Sequence, residues 1–167
     1  MIVLLFGLSG AGKSTIANLC SEKFDNTAIL DGDILRRGLN LDLGFSREDR
    51  REALRRTLYC AREMSKAGLI VFIPMIAPYE SDRVMAREIC HGHHLLLIFV
   101  DCPLETCEER DPKGLYKKAR QGRLRRFTGV SDPFEAPQSY DLHLNTVDQS
   151  PNRCREVVCD YINNLLQ

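Results

Sequence analysis

The stretch that most limits what this chain can fold into is Gly7-Leu-Ser-Gly-Ala-Gly-Lys13-Ser14-Thr15. It follows Ile2–Phe6, an all-apolar run that reads as a strand buried on both faces. The spacing is G-x-x-x-x-G-K-[ST], which joins a strand to a helix and cradles phosphate. Gly7, Gly10 and Gly12 let backbone N–H groups turn inward on phosphate oxygens, and Ser9, Ala11 and Thr15 complete the loop. The helix opening at Lys13 adds the positive end of its dipole. Lys13 is expected on the β- and γ-phosphates, and the Ser14 hydroxyl on Mg²⁺. A glycine-rich turn with no ligand would match the same letters, but the strand–loop–helix context argues against it. The chain is therefore expected to bind ATP or another nucleotide with Mg²⁺.

Further strands are expected at Ala28–Leu30, ending at Asp31, at Leu69–Met75, ended or bent by Pro74, at Leu95–Val100 and at Asp141–Asn145. Between them lie helical patterns. Ser46-Arg-Glu-Asp49 has the form of a capping box, and the helix it opens runs to about Ala67, before Gly68. Two more helices are expected over Ser81–His91 and Asn152–Leu166. Strands alternating with helices predict an α/β, three-layer P-loop NTPase-type fold, its mostly parallel sheet covered by helices on both faces. Residues 1–167 read as a single domain. Residues 111–140, rich in Gly, Pro and charge, are too long for an ordinary connection and read as a lid.

Lys plus Arg and Asp plus Glu number 23 each, which argues against a bulk nucleic-acid or membrane-surface binder. Basic residues still cluster at 47–56 and 117–126, so local anion sites remain open. The second cluster, with Tyr116 and Phe127 beside it, reads better as a phosphate-closing lid than as a nucleic-acid surface. Seven cysteines form no C-x-x-C and no zinc spacing, and are expected as reduced thiols packing like small apolar residues. The N-terminal apolar run is too short for a signal peptide or a membrane span. A cytoplasmic protein is expected.

Residues 31–50 carry the second set of chemical groups. Asp31 falls where a parallel sheet lines its ligand crevice. A carboxylate there could hold Mg²⁺ through water or accept a hydroxyl proton, although Asp31 or Asp33 could equally cap a helix. Arg36, Arg37 and Arg50 could grip an anion through guanidinium forks; a solvated helix face is the ordinary fate of such residues, and two of the three are expected to be functional. Phe45 precedes the capping Ser46, where a hydrophobic staple and a stacking platform for a base are equally open.

At this point the sequence resembles the adenylylsulfate kinase (APS kinase) family. The resemblance is carried by Asp31-Gly-Asp33, Arg36, Gly38-Leu-Asn40, Asp42-Leu-Gly-Phe45-Ser46 and Asp49-Arg50. It continues through Phe99–Leu104, Arg110-Asp-Pro-Lys-Gly-Leu-Tyr-Lys-Lys-Ala-Arg120, Phe127-Thr-Gly129 and Asp132–Pro137. It implies transfer of the γ-phosphoryl of ATP to the 3′-hydroxyl of adenosine 5′-phosphosulfate (APS), giving PAPS and ADP. It implies that Phe45 and Phe127 sandwich the APS adenine, that Arg36 and Arg50 bind its phosphosulfate, and that Asp33 and Ile76 complete the acceptor site. By the same resemblance Asp31 is the base or metal-side carboxylate, Lys117 approaches the transferring phosphates, Arg110 lies against the ATP adenine, and the assembly is a homodimer.

The sequence departs from that pattern at three places. Ala53 replaces an Asn, and Met75-Ile-Ala77-Pro-Tyr79 stands where the pattern is Phe-Ile-Ser-Pro-(Phe/Tyr). With no hydroxyl at 77, a phosphoserine route at that position is excluded and direct in-line transfer is expected. The same departures motivate a kinase of this fold acting on another nucleotide-like acceptor, such as a modified nucleoside diphosphate. A third function is a nucleotide-binding module without turnover.

Overall fold

β1 (Ile2–Phe6) shows no exposed surface, and its side chains divide between two cores by simple alternation. Val3 and Leu5 join one apolar cluster; Ile2, Leu4 and Phe6 join another on the opposite face. The computed structural model, which describes residues 1–166, shows the same alternation in β3 (Ile70–Pro74) and β4 (Leu95–Asp101). With β2 (Thr27–Ile29) and β5 (Leu142–Asn145) they form a sheet of order β2-β3-β1-β4-β5, parallel at every pairing.

Two helix layers cover it. α1 (Lys13–Ser21) and α7 (Pro151–Leu166) contribute Ile16, Ala17, Cys20, Val158 and Ile162 to the first cluster. α3 (Arg47–Lys66) and α4 (Glu80–Ile89) contribute Leu54, Leu58, Ala61, Met85 and Ala86 to the second. The long helix α3 starts as its sequence dictates: the Ser46 hydroxyl accepts from Asp49 N at 3.0 Å, and Gly68 lies past its end with φ +89°. All seven cysteines are free; six are buried, and Cys60 is partly exposed. The expected three-layer P-loop NTPase-type fold, a parallel sheet with helices on both faces, is thus the observed one.

Three short helices have no counterpart in the sequence expectations: α2 (Gly32–Leu35), α5 (Leu104–Arg110) and α6 (Leu115–Arg120). Each buries too little to leave a periodic apolar signature. α5 buries Cys107, α6 buries Tyr116 and Ala119, and α2 buries nothing. The 111–140 segment consequently holds a helix rather than running irregularly throughout, and the longer elements differ from expectation by a residue or two at their ends.

Gly7 is where sheet and loop meet most tightly. An added Cβ there would lie 2.3 Å from the Val100 carbonyl oxygen, and φ is +149°. Gly7→Ala is expected to lower stability by about 3 kcal/mol or more, read as a fall in the urea midpoint at unchanged slope; a midpoint equal to wild type would contradict the close approach.

Candidate active site

α1 begins without a side-chain cap, because its N-cap is Gly12 in the left-handed region at φ +102°. Its first-turn N–H groups stay available for an anion. Lys13 leaves the helix and turns back, its ammonium donating to Leu8 O at 2.6 Å. Only 8% of Lys13 is exposed, and burial lowers its pKa to about 8. The loop is fastened to its surroundings: Gly7 N donates to Ile76 O at 3.2 Å, and the Tyr116 hydroxyl donates to Ser9 O at 2.9 Å.

The Asp31 carboxylate does two things at once. Oδ2 accepts from the Ser14 hydroxyl at 2.7 Å, and Oδ1 caps α2 by accepting from Asp33 N at 2.8 Å. The cap and the chemical role read as alternatives in the sequence are compatible, because each uses its own oxygen. Ser14 and Asp31 thereby present a pair of hard oxygen donors beside the phosphate loop, the donor set that Mg²⁺ takes.

A cavity of about 430 Å³ opens from this loop toward α3. That is within the roughly 300–1,000 Å³ range of small-molecule sites. Ser9, Gly10, Gly12, Lys13, Ser14 and Thr15 line its donor end, whereas Phe45, Arg36, Arg50 and Phe127 line the other. Phe45 is 53% exposed, with the Arg36 guanidinium 4.1 Å from its ring centroid and that of Arg50 at 5.5 Å. Arg36 also donates to Gly44 O at 2.8 Å, and Arg50 to Phe45 O at 3.1 Å and Arg126 O at 2.6 Å. Partial burial lowers the pKa of both guanidiniums. Arg37 is exposed and does not line the cavity. Phe127 is buried edge-on to Tyr116, with ring centroids 4.9 Å apart. Ala53, Ile76, Ala77 and Pro78 supply an apolar wall of the same cavity.

The 111–140 segment differs most from the sequence expectation. Lys117 is exposed on α6 and lies off the cavity wall. Lys113, on the turn before α6, lines the cavity instead and pairs with Asp33. Both lysines belong to the run 110–120, but Asp111 caps α6 by accepting from Tyr116 N and Lys117 N, which turns Lys117 away and leaves Lys113 at the mouth. Arg110 also lies off the cavity wall, its guanidinium donating to Thr146 O at 2.7 Å and contacting Cys102 Sγ at 3.4 Å. Arg126, also outside the expected set, lines the cavity, and its position is visible only once the bond from Arg50 to its carbonyl is known.

The adenylylsulphate kinase family model matches residues 1–145. The chain belongs to this family. An adenylyl-sulfate kinase of Burkholderia ambifaria is 48% identical over 157 residues, covering 92% of this chain and 87% of that protein. The bifunctional enzyme NodQ of Rhizobium sp. (strain BR816) is 52% identical over 149 residues. That match covers 87% of this chain, which spans about a quarter (24%) of NodQ's length. The solved structure of the Mycobacterium tuberculosis APS kinase CysC in complex with AMPPNP and APS superposes with a TM-score of 0.93 at 41% identity, covering 97% of this chain and 96% of that one.

In this APS kinase family member the low pKa of Lys13 has a measurable consequence. Above pH 8 the free protein loses the Lys13 proton, whereas a bound triphosphate favours the ammonium. ATP binding at pH 8.5 is expected to take up about half a proton or more, seen as a dependence of calorimetric heat on buffer ionisation enthalpy. Lys13→Met should remove that dependence; an unchanged proton uptake would assign it to another group.

Proposed function

We propose that this chain transfers the γ-phosphoryl group of ATP to the 3′-hydroxyl of APS, releasing PAPS and ADP. The observation that carries this reading is one cavity with two different ends. A phosphate loop alone fits any nucleotide. A ring-lined end flanked by two guanidiniums fits a second nucleotide whose 5′ group is anionic. The CysC complex with AMPPNP and APS supports the same pairing.

In this reading the loop N–H groups and Lys13 hold the ATP phosphates, and Lys13 leaves the Leu8 carbonyl to do so. Ser14 and Asp31 would hold Mg²⁺, which would supply positive charge against the ATP phosphates. Phe45 and Phe127 stack on the acceptor adenine, and Arg36 and Arg50 take its phosphosulfate. Asp33 and Ile76 belong to the same acceptor end. Lys113 reaches the transferring phosphates from the lid in the place first assigned to Lys117, exchanging Asp33 for phosphate. Arg110 stays a contributor to the ATP adenine side only with movement away from Thr146. Ala77 has no nucleophile, so the transfer is a direct in-line displacement governed by positioning and charge. The chain is further proposed to act in the cytoplasm as a homodimer; among the described residues no helix is long and apolar enough to cross a membrane.

With ATP and Mg²⁺, ADP release should depend on APS and match PAPS formation. ADP release that ignores APS, but responds to a modified nucleoside diphosphate, would move the acceptor assignment; binding of ATP with no acceptor turned over would leave a nucleotide-binding module. Lys113→Ala is expected to lower kcat about 10²-fold, and Lys117→Ala to leave it within about threefold. The reverse order would restore Lys117 as the lid lysine. Phe127→Ala should raise the KM for APS about tenfold or more, with the KM for ATP little changed.

A further inference from the structure

Arg83 and its neighbour Asp82 are the most deeply buried charged residues described, each 1% exposed, and Arg83 contacts none of the side chains given a role above. It lies on α4, one turn past Glu80, behind the apolar wall of the cavity. Its Nη1 donates to Ala77 O at 2.8 Å. Its Nη2 donates to Glu135 O at 2.9 Å and to Glu80 Oε2 at 2.7 Å, and its Nε donates to the same carboxylate oxygen at 2.9 Å. The guanidinium lies 5.2 Å from the Phe6 ring centroid and 5.8 Å from that of Phe134. We propose that Arg83 is a positioning residue for the acceptor site: it sets the Ala77–Pro78 wall and ties the returning end of the lid to it. This proposal rests on the APS kinase reading of the cavity.

Three observations converge on that role. First, Ala77 lines the cavity with φ +40°, a left-handed conformation that a residue with a Cβ holds only when its surroundings force it. The Arg83 bond to its carbonyl is such a force. Second, the other carbonyl held by Arg83 belongs to Glu135, at the far end of the lid segment. Around it, Glu135 N donates to Pro78 O at 2.8 Å, and Glu80 N donates to Glu135 Oε2 at 2.6 Å. Gln138 N donates to Glu80 Oε2 at 3.2 Å. Wall and lid end are thus one hydrogen-bonded unit centred on the guanidinium. Third, that unit borders the acceptor end: Ala77 and Pro78 line the same cavity as Phe45 and Arg50, and the Arg47 guanidinium, in the first turn of α3, sits 4.6 Å from the Tyr79 ring centroid. The same helix carries Arg50.

Bulk stability alone does not call for this arrangement. A buried ion pair is often replaceable by apolar side chains of similar volume. Only a planar fork can hold two carbonyls and a carboxylate in fixed directions at once. The phosphate loop is also held by Tyr116, away from this unit, and among the described residues hydrogen-bonds to the wall only through the Gly7 bond to Ile76 O, so loss of the fork should fall mainly on the acceptor.

The test begins with wild-type kinetics in ATP and APS; absence of APS-dependent turnover overturns the functional reading and this proposal with it. Given turnover, Arg83→Lys is expected to raise the KM for APS about tenfold, while the KM for ATP stays within about twofold. Adding Ala77→Gly, which accepts φ +40° freely, should return at least about a third of that loss. Equal increases in both KM values, or lower thermal stability with unchanged KM for APS, would overturn the proposal. If Arg83→Lys does not fold, Glu80→Gln keeps an acceptor for the guanidinium without the charge, and is expected to raise the KM for APS about threefold. An unchanged value there would equally overturn it.

Discussion

Everything at the donor end follows from how closely the backbone passes β4. Gly7 clears the Val100 carbonyl only because it has no Cβ, and Gly10 faces the Cys107 carbonyl at the same kind of distance, 3.0 Å from where a Cβ would be. The loop is thereby pressed between β1, β4 and α5. That compression desolvates Lys13 and leaves its ammonium with one protein partner, the Leu8 carbonyl. A nearly dry ammonium beside uncapped helix N–H groups is a site in which a phosphate gains more than it would in water.

Tyr116 joins the two ends of the cavity. Its hydroxyl holds Ser9 in the phosphate loop, and its ring packs at nearly a right angle against Phe127 at the other end. Displacing the 111–140 segment would therefore disturb the phosphate loop and Phe127 together. On the facing side, Phe45 is half-exposed between Arg36 and Arg50, a large ring left at a cavity mouth rather than packed into a core. The stacking role proposed for Phe45 would account for that exposure, and the backbone carbonyls held by both arginines explain why the guanidiniums stay beside the ring.

Much of this was legible in the sequence, for identifiable reasons. Buried parallel strands leave unbroken apolar runs, and the phosphate loop has rigid spacing, so β1, β3, β4, α1 and the Lys13–Ser14 pair could be placed from residues alone. Ser46 announced the start of α3. Phe45 could not be decided, because the staple position four residues past the cap is Arg50: the ring is stapled by a cation, which serves both readings. Lys113 was missed because α6 is only six residues long, and its start decides which lysine of 110–120 faces inward. The Glu80–Arg83–Glu135 unit left no sequence signal, since it joins positions more than fifty residues apart, with Arg83 to Glu135 separated by 52.

The central claim is that one cavity brings the terminal phosphoryl of ATP to a hydroxyl of a second nucleotide stacked at Phe45 and Phe127. A single-turnover experiment with γ-labelled ATP, Mg²⁺ and APS, resolved by chromatography, tests it most directly. The structure predicts that the label appears in PAPS, carried on the 3′ position, at the rate at which ATP disappears. Label recovered as inorganic phosphate at the same rate with or without APS would contradict it.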